Sequence, residues 1–150
     1  MSDTPLDVDE LRTSSLQGAI LRKVEQPAEG VWAFSFEIAG FTIQCPWRIV
    51  ADGAVVLGGC DHAQKFGLPA PVDVMSETMR WLANRTVSGV EVDRVTGDLS
   101  IKFSPEAQID AFNNSGGYEG WSLGTREGLQ VFALGGGKLA IWDKRITTKC

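Results

Sequence analysis

Residues 31–45 read VWAFSFEIAGFTIQC, and the period of this stretch decides the fold. Trp32, Phe34, Phe36 and Ile38 alternate with Ala33, Ser35 and Glu37, so an extended chain places every large apolar side chain on one face. A helix would scatter the same residues around its axis. Ala39-Gly40 then reads as a tight turn, and Phe41, Ile43 and Cys45 resume the alternation. Strands joined this closely pair as an antiparallel hairpin.

Downstream, Pro46-Trp47-Arg48-Ile49-Val50 and Ala54 to Leu57 flank the turn Ala51-Asp52-Gly53, and Gly58-Gly59 stops the second strand. Asp-Gly between apolar stretches is a strong short-range hairpin signal, because both residues tolerate the positive φ such turns require. A loop containing CDHAQKFGLPAP follows. It leads to the one helical stretch, about 72–84, where Val72, Met75, Met79 and Leu82 share a stripe, Pro69 and Pro71 mark the entry and Asn84 the stop.

After the helix the alternation resumes with the same landmarks. Phe34-Ser35-Phe36 is echoed by Ile101-Lys102-Phe103, and Phe41, Ile43 and Cys45 by Ala107, Ile109 and Ala111. Pro46-Trp47-Arg48-Ile49 returns as Gly120-Trp121-Ser122-Leu123, Asp52-Gly53 as Glu127-Gly128, and Leu57-Gly58-Gly59 as Leu134-Gly135-Gly136. Aliphatic strands, Ile20 to Val24 and Val87 to Val95, open the two halves, and Lys138 to Trp142 adds a last strand. Landmarks kept in one order point to an internal repeat. The predicted fold is mainly β (α+β): two tandem antiparallel four-stranded meanders, about 17–59 and 87–142, forming packed sheets or a flattened barrel, with one helix at about 72–84 between them. Residues 1–16, acidic and poor in apolar positions, read as a mobile tail ahead of a single domain over 17–150.

The chain of 150 residues is long enough to bury a core, and 43% hydrophobic with 22% charged residues is a soluble globular balance. A formal charge of −5 argues against a nucleic-acid partner, since phosphate binding draws on clustered Lys and Arg. The start MSDTPLDVDELRTSS lacks the basic and apolar regions of a signal peptide, and no apolar run approaches the roughly 18 residues of a membrane helix. Cys45, Cys60 and Cys150 show no paired spacing, which fits reduced thiols in a cytoplasmic protein.

Two loops are candidates for function. Between the residues matched to Cys45 and Pro46, the second half carries about eight unmatched residues, FNNSGGYE, with the only tyrosine of the chain. Asn113, Asn114, Tyr118 and Glu119, with the adjoining Trp121, make an aromatic and acidic patch of the type that anchors protein partners. The alternative is a wide turn in which Asn and Gly supply positive φ and Tyr118 folds down on the core. The loop after Gly59 offers Asp61, His62 and Gln64 as a second contact. Cys60-Asp61-His62 also raises metal or thiol chemistry, but structural zinc sites draw four ligands from paired motifs and catalytic pairs converge from separate elements, so a structural loop with a capping Asp61 and a buried Phe66 is favoured. Gly58-Gly59 and Gly135 to Gly137 lack the following helix start that makes phosphate loops specific, and no motif implies a cofactor. Most of Asp93, Asp98, Asp110 and Glu119 read as solvated, Asp110 facing outward by its alternation, and the five tryptophans read mainly as core, the alternative being the lining of a sugar or aromatic-ligand groove.

The runs CPWRI, QKFGLPAPVD and SGGYEGWSL, within Ala19 to Trp142, resemble an uncharacterised family of small bacterial proteins, similar in look to immunity proteins of bacterial toxin systems. The resemblance implies a cytoplasmic, non-catalytic binder of a protein partner such as a basic toxin, and it brings no catalytic residue with it. Alternatives are a small-molecule binder or minor hydrolase using a groove between the halves, and a homodimer formed through exposed strand edges.

Overall fold

A computed structural model of the chain describes residues 16–144. The expected tail therefore lies outside the described residues, as do 145–150, except that Leu16 is fully buried and belongs to the core. Period-two patterning becomes strands throughout. β1 (Leu21–Ala28), β2 (Val31–Phe36) and β3 (Ala39–Ile43) form a meander, and β4 (Trp47–Ala51) and β5 (Ala54–Gly58) a hairpin. The helix α1 (Val74–Leu82) comes next. A second meander, β6 (Thr86–Val92), β7 (Leu99–Ser104) and β8 (Ala107–Ala111), precedes a second hairpin, β9 (Trp121–Thr125) and β10 (Leu129–Ala133), to which β11 (Leu139–Asp143) is added.

The fold is mainly β, as expected, and takes the packed-sheet form rather than a closed barrel. Each half is shared between the sheets. One sheet runs β1-β2-β3-β9-β10-β11 and the other β5-β4-β8-β7-β6, so each meander takes the other half's hairpin as its neighbour. The two exchanges match: Ile43 lies opposite Trp121 and Trp47 opposite Ala111. One irregularity also corresponds: an extra residue bulges at Arg22 between the Leu21–Phe36 and Lys23–Ser35 pairs, and at Ser88 between Val87–Phe103 and Gly89–Lys102, whereas the shift between Ile49 and Val50 in β4–β5 has no counterpart in β9–β10.

These registers correct three expectations. The β2–β3 turn is Glu37-Ile38 rather than Ala39-Gly40, since Ser35 pairs with Gly40 and Phe34 with Phe41. The counterpart of Ile43 is Ala111, so Cys45 corresponds to Asn113 and Phe41 to Ile109. Leu57, opposite Ile49, corresponds to Val131, opposite Leu123. The first two are slips by an even number of residues that leave the inward face nearly unchanged, which is why alternation alone did not detect them, whereas in the third the expected match, Leu134, lies just past the end of β10.

The inner faces supply one core. Trp47 meets Trp32 and Phe34 edge-on, with centroids 5.7 and 5.0 Å away, and Phe36 stacks on Phe103 across the sheets. Such contacts add roughly 0.5–1.5 kcal/mol each beyond area burial. The helix packs on β1 and β5, the edges of the two sheets on one side. Its bounds are tighter than expected: Asp73 caps the N-terminus by accepting from Met75 N and Ser76 N, and Asn84, at φ 63°, follows the last turn. The fully buried stripe is Val74, Thr78 and Leu82, while Met75 and Met79 pack at its margin.

At one end the strands are joined by tight turns, and Arg85 ties two of them together. Its guanidinium donates to Pro105 O, Glu106 O and the Asp52 carboxylate. The opposite end carries every long connection: the crossover 44–46, the loop 59–73, the turn 93–98, the loop 112–120 and the segment 134–138.

Candidate functional site

Both loops singled out in the sequence lie at this loop-bearing end, on either side of Gln44 and Cys45. The crossovers between sheets run side by side, Gln44 N and Cys45 N donating to Gly120 O and Phe112 N to Pro46 O. The surplus of the second crossover is six residues, because three residues separate Ile43 from Trp47 and nine separate Ala111 from Trp121.

The longer loop is held from within and from below. Ser115 Oγ accepts from Gly117 N and Tyr118 N, and Gly136 N donates to Ser115 O. Gly135 allows the close approach of the two loops, since a Cβ there would stand 2.6 Å from Gly117 N. Beneath them Asn113 acts as a rivet. Its Nδ2 donates to Thr96 O and Leu134 O, both at 3.0 Å, and its backbone N–H to Asp98 Oδ1 at 2.8 Å. Tyr118 points outward from this braced loop, 82% exposed. Beside it, Glu119 accepts from Gln44 Nε2 at 3.3 Å, so the rim is continuous with the first crossover.

Past Gln44 and Cys45 the rim opens into a cleft of about 680 Å³, within the range of ligand sites. Trp32, Trp47, Cys45, His62 and Gln64 line it with the β1–β2 turn. All its lining residues lie between 26 and 64, so it sits within the first half and not in a groove between halves. The His62 ring stands edge-on to Trp32 at 5.2 Å, and its Nδ1 accepts from Val74 N at the start of α1. Asp61 turns back to accept from Gly58 N. Trp47 Nε1 is buried with no hydrogen-bond partner and packs against Gly59, where a Cβ would stand 2.8 Å from Trp47 Cε2.

Of the sequence-derived site residues, Tyr118, Asn114 and Gln64 are exposed, and Glu119, Asp61 and His62 half-buried. Trp121 and Asn113 do not belong on the contact surface. Trp121 is wholly buried, because its inward position on β9 faces the core, and its Nε1 donates to Gly97 O at 2.7 Å. Asn113 is only 8% exposed and bonded inward. Phe66, expected inside, is instead 68% exposed, and Trp142 lies outside on β11. Asp110 faces outward as expected yet is covered, accepting from Arg48, Ser100 and Gln108. The alternation could have shown the fate of Trp121; nothing local marked Trp32, Trp47 and Gln44 as neighbours of the loop at His62.

Burial pushes the Cys45 thiol up to about 11, which keeps it protonated and poorly nucleophilic near neutrality. Among the described residues no group of three or more His, Cys, Asp or Glu side chains could hold a metal ion, and no helix is long and apolar enough to cross a membrane. Comparison with known proteins finds no matching family model, no similar curated protein and no similar solved structure.

Proposed function

We propose that this protein is a non-catalytic binder of a protein partner, an immunity-type inhibitor that engages its target through the loop-bearing end of the sandwich. The observation that carries this reading is Tyr118: a large aromatic side chain 82% exposed on a loop braced by Ser115 and Asn113. A rigid exposed tyrosine supplies contact area at low entropic cost, the usual character of an interface anchor. Glu119 and Gln44 flank it, and Asn114 and Gln64 extend the surface to either side. The formal charge of −5 favours a basic target, whose encounter would be accelerated by the opposite field. Inhibition would come from occlusion of the target's own site, in the cytoplasm of the producing cell.

The test compares capture from the native host by the wild-type chain and by Tyr118→Ala combined with Glu119→Ala. A specific partner retained by the first and lost by the second supports the reading. Equal capture by both removes the anchor assignment. The cleft favours a second reading, a small-molecule binder, which a thermal-shift screen with metabolites would support if one compound raised the melting temperature in a concentration-dependent way.

A further inference from the structure

The two halves treat the same place in the fold differently. In the second half, the connection between β6 and β7 curls into a compact turn over 93–98. Asp93 Oδ1 accepts from Val95 N and Thr96 N, and Gly97 N donates to Asp93 O. The carbonyls of this turn are gripped from the core side: Thr96 O by Asn113 and Gly97 O by Trp121. By strand register the counterparts of Asn113 and Trp121 are Cys45 and Trp47. In the first half the equivalent connection does not curl. It continues as paired ribbon to Ala28 and Val31, leaving the cleft into which Cys45 and Trp47 face, with no acceptor for Trp47 Nε1.

Resting on the reading of a protein partner, we propose that the cleft receives a tight turn of that partner, which presents a backbone carbonyl to Trp47 Nε1 as Gly97 does to Trp121. The chain's own 93–98 turn shows what a half of this architecture accommodates there. Trp32 and His62 supply aromatic walls, and Gln44 and Gln64 supply amides at the mouth. A second difference allows Trp47 to move. Trp121 lies opposite Ala133, whereas the register of β4 and β5 sets Trp47 opposite Gly59. The missing methyl lets the indole lean on Gly59 while the cleft is open, and a swing away would turn its N–H toward an incoming carbonyl.

The probe is a cyclised peptide carrying Asp-Arg-Val-Thr-Gly-Asp, the sequence of residues 93–98. It is titrated into the full chain while the indole N–H resonance of Trp47 is followed, assigned by its absence in Trp47→Phe. A saturable downfield shift is expected, and calorimetry, which does not depend on the indole, should show affinity falling roughly tenfold in Trp47→Phe, the loss of about one hydrogen bond. Because Trp47 is also core, Ala28→Trp, exposed at the cleft lip, serves as the variant that spares the fold; it should abolish binding. Gly59→Ala, which displaces the indole from its seat, should tighten binding. No saturable shift at millimolar peptide, or undiminished binding to Ala28→Trp, overturns the proposal. Partner capture lost in Tyr118→Ala but intact in Ala28→Trp would also overturn it while leaving the partner reading standing. Peptide binding by a chain that captures no protein would do the reverse.

Discussion

Asn113 should be the residue whose loss most weakens the loop-bearing end without touching its surface. Its side chain joins three segments that share no strand pairing there, through bonds to Thr96 O and Leu134 O and the backbone bond to Asp98. Asn113→Ala removes both side-chain bonds. Leu134 O retains Gly137 N at 3.3 Å, so the principal loss is at Thr96 O, and the unpartnered Asn113 Oδ1 disappears with the change. A net cost of about 1–2 kcal/mol follows, since a buried hydrogen bond contributes near 1 kcal/mol and an abandoned carbonyl somewhat more. In a chain of this size that lowers Tm by roughly 3–8 °C. Asn113→Asp should cost more, about 3 kcal/mol, because it aims an oxygen at two carbonyl oxygens in a buried site. Thermal unfolding by circular dichroism measures both, and hydrogen exchange should show new opening at 93–98 and 134–138 with β2 and β7 unchanged. An alanine variant melting within about 1 °C of wild type, or an aspartate variant no worse than alanine, would refute the rivet.

Thr78 is buried on α1 with a hydroxyl that has no partner, so Thr78→Val should raise stability by about 1 kcal/mol in denaturant titration; a loss of that size would show that the hydroxyl is solvated or bonded. Asp73 caps α1, and bonds from the Ser76 hydroxyl and backbone N–H hold its carboxyl below the ordinary 3.8. Its contribution is therefore complete above that value and fades as pH falls through the lower folded value. Asp73→Ala should cost about 1 kcal/mol at pH 7, and the gap should narrow in acid; a gap that widens there contradicts the cap. Cys45, raised to about 11 by burial, should resist alkylation at pH 8 while exposed Cys60 reacts, read site by site by mass spectrometry; equal labelling would mean that the cleft wall opens readily.

The strands, their inward faces and the single helix were legible because burial imposes a period of two on one face of every strand, and this chain obeys it closely. Registers were not legible. Moving the β2–β3 turn from Ala39-Gly40 to Glu37-Ile38, or matching Ile43 to Ala111 in place of Ile109, shifts a pairing by an even number of residues and leaves each side chain facing the same way. Only the partner strand distinguishes these choices. The exchange of hairpins between halves was hidden for a related reason: a meander sequence states which strands are adjacent along the chain but not where a crossover of a few residues changes sheet. The Asp52-Gly53 turn was legible because its chemistry is local, and both residues do have positive φ, 52° and 83°.

The candidate site divides along the same line. Tyr118 and Glu119 stood out as additions to one half, and a loop added to a scaffold need not satisfy the scaffold's packing, so its side chains are free to face solvent. Asn113 looked like part of that addition because Asn is ordinary in turns, but it holds the position of Cys45, at the scaffold's edge, and its amide meets carbonyls from two other loops. The cleft left no sequence mark, since it arises from what the first half lacks: the curl that Asp93 induces at 93–98 and the methyl that Ala133 supplies. Where two halves share a pairing scheme, the second can act as a physical control on the first. Trp121 with its acceptor and Trp47 without one hold equivalent positions, so the unpartnered indole reflects a local departure in the first half and not a demand of the fold. The halves diverge at the loop-bearing end, whereas at the opposite end Arg85 ties the turns at Asp52 and Glu106 together.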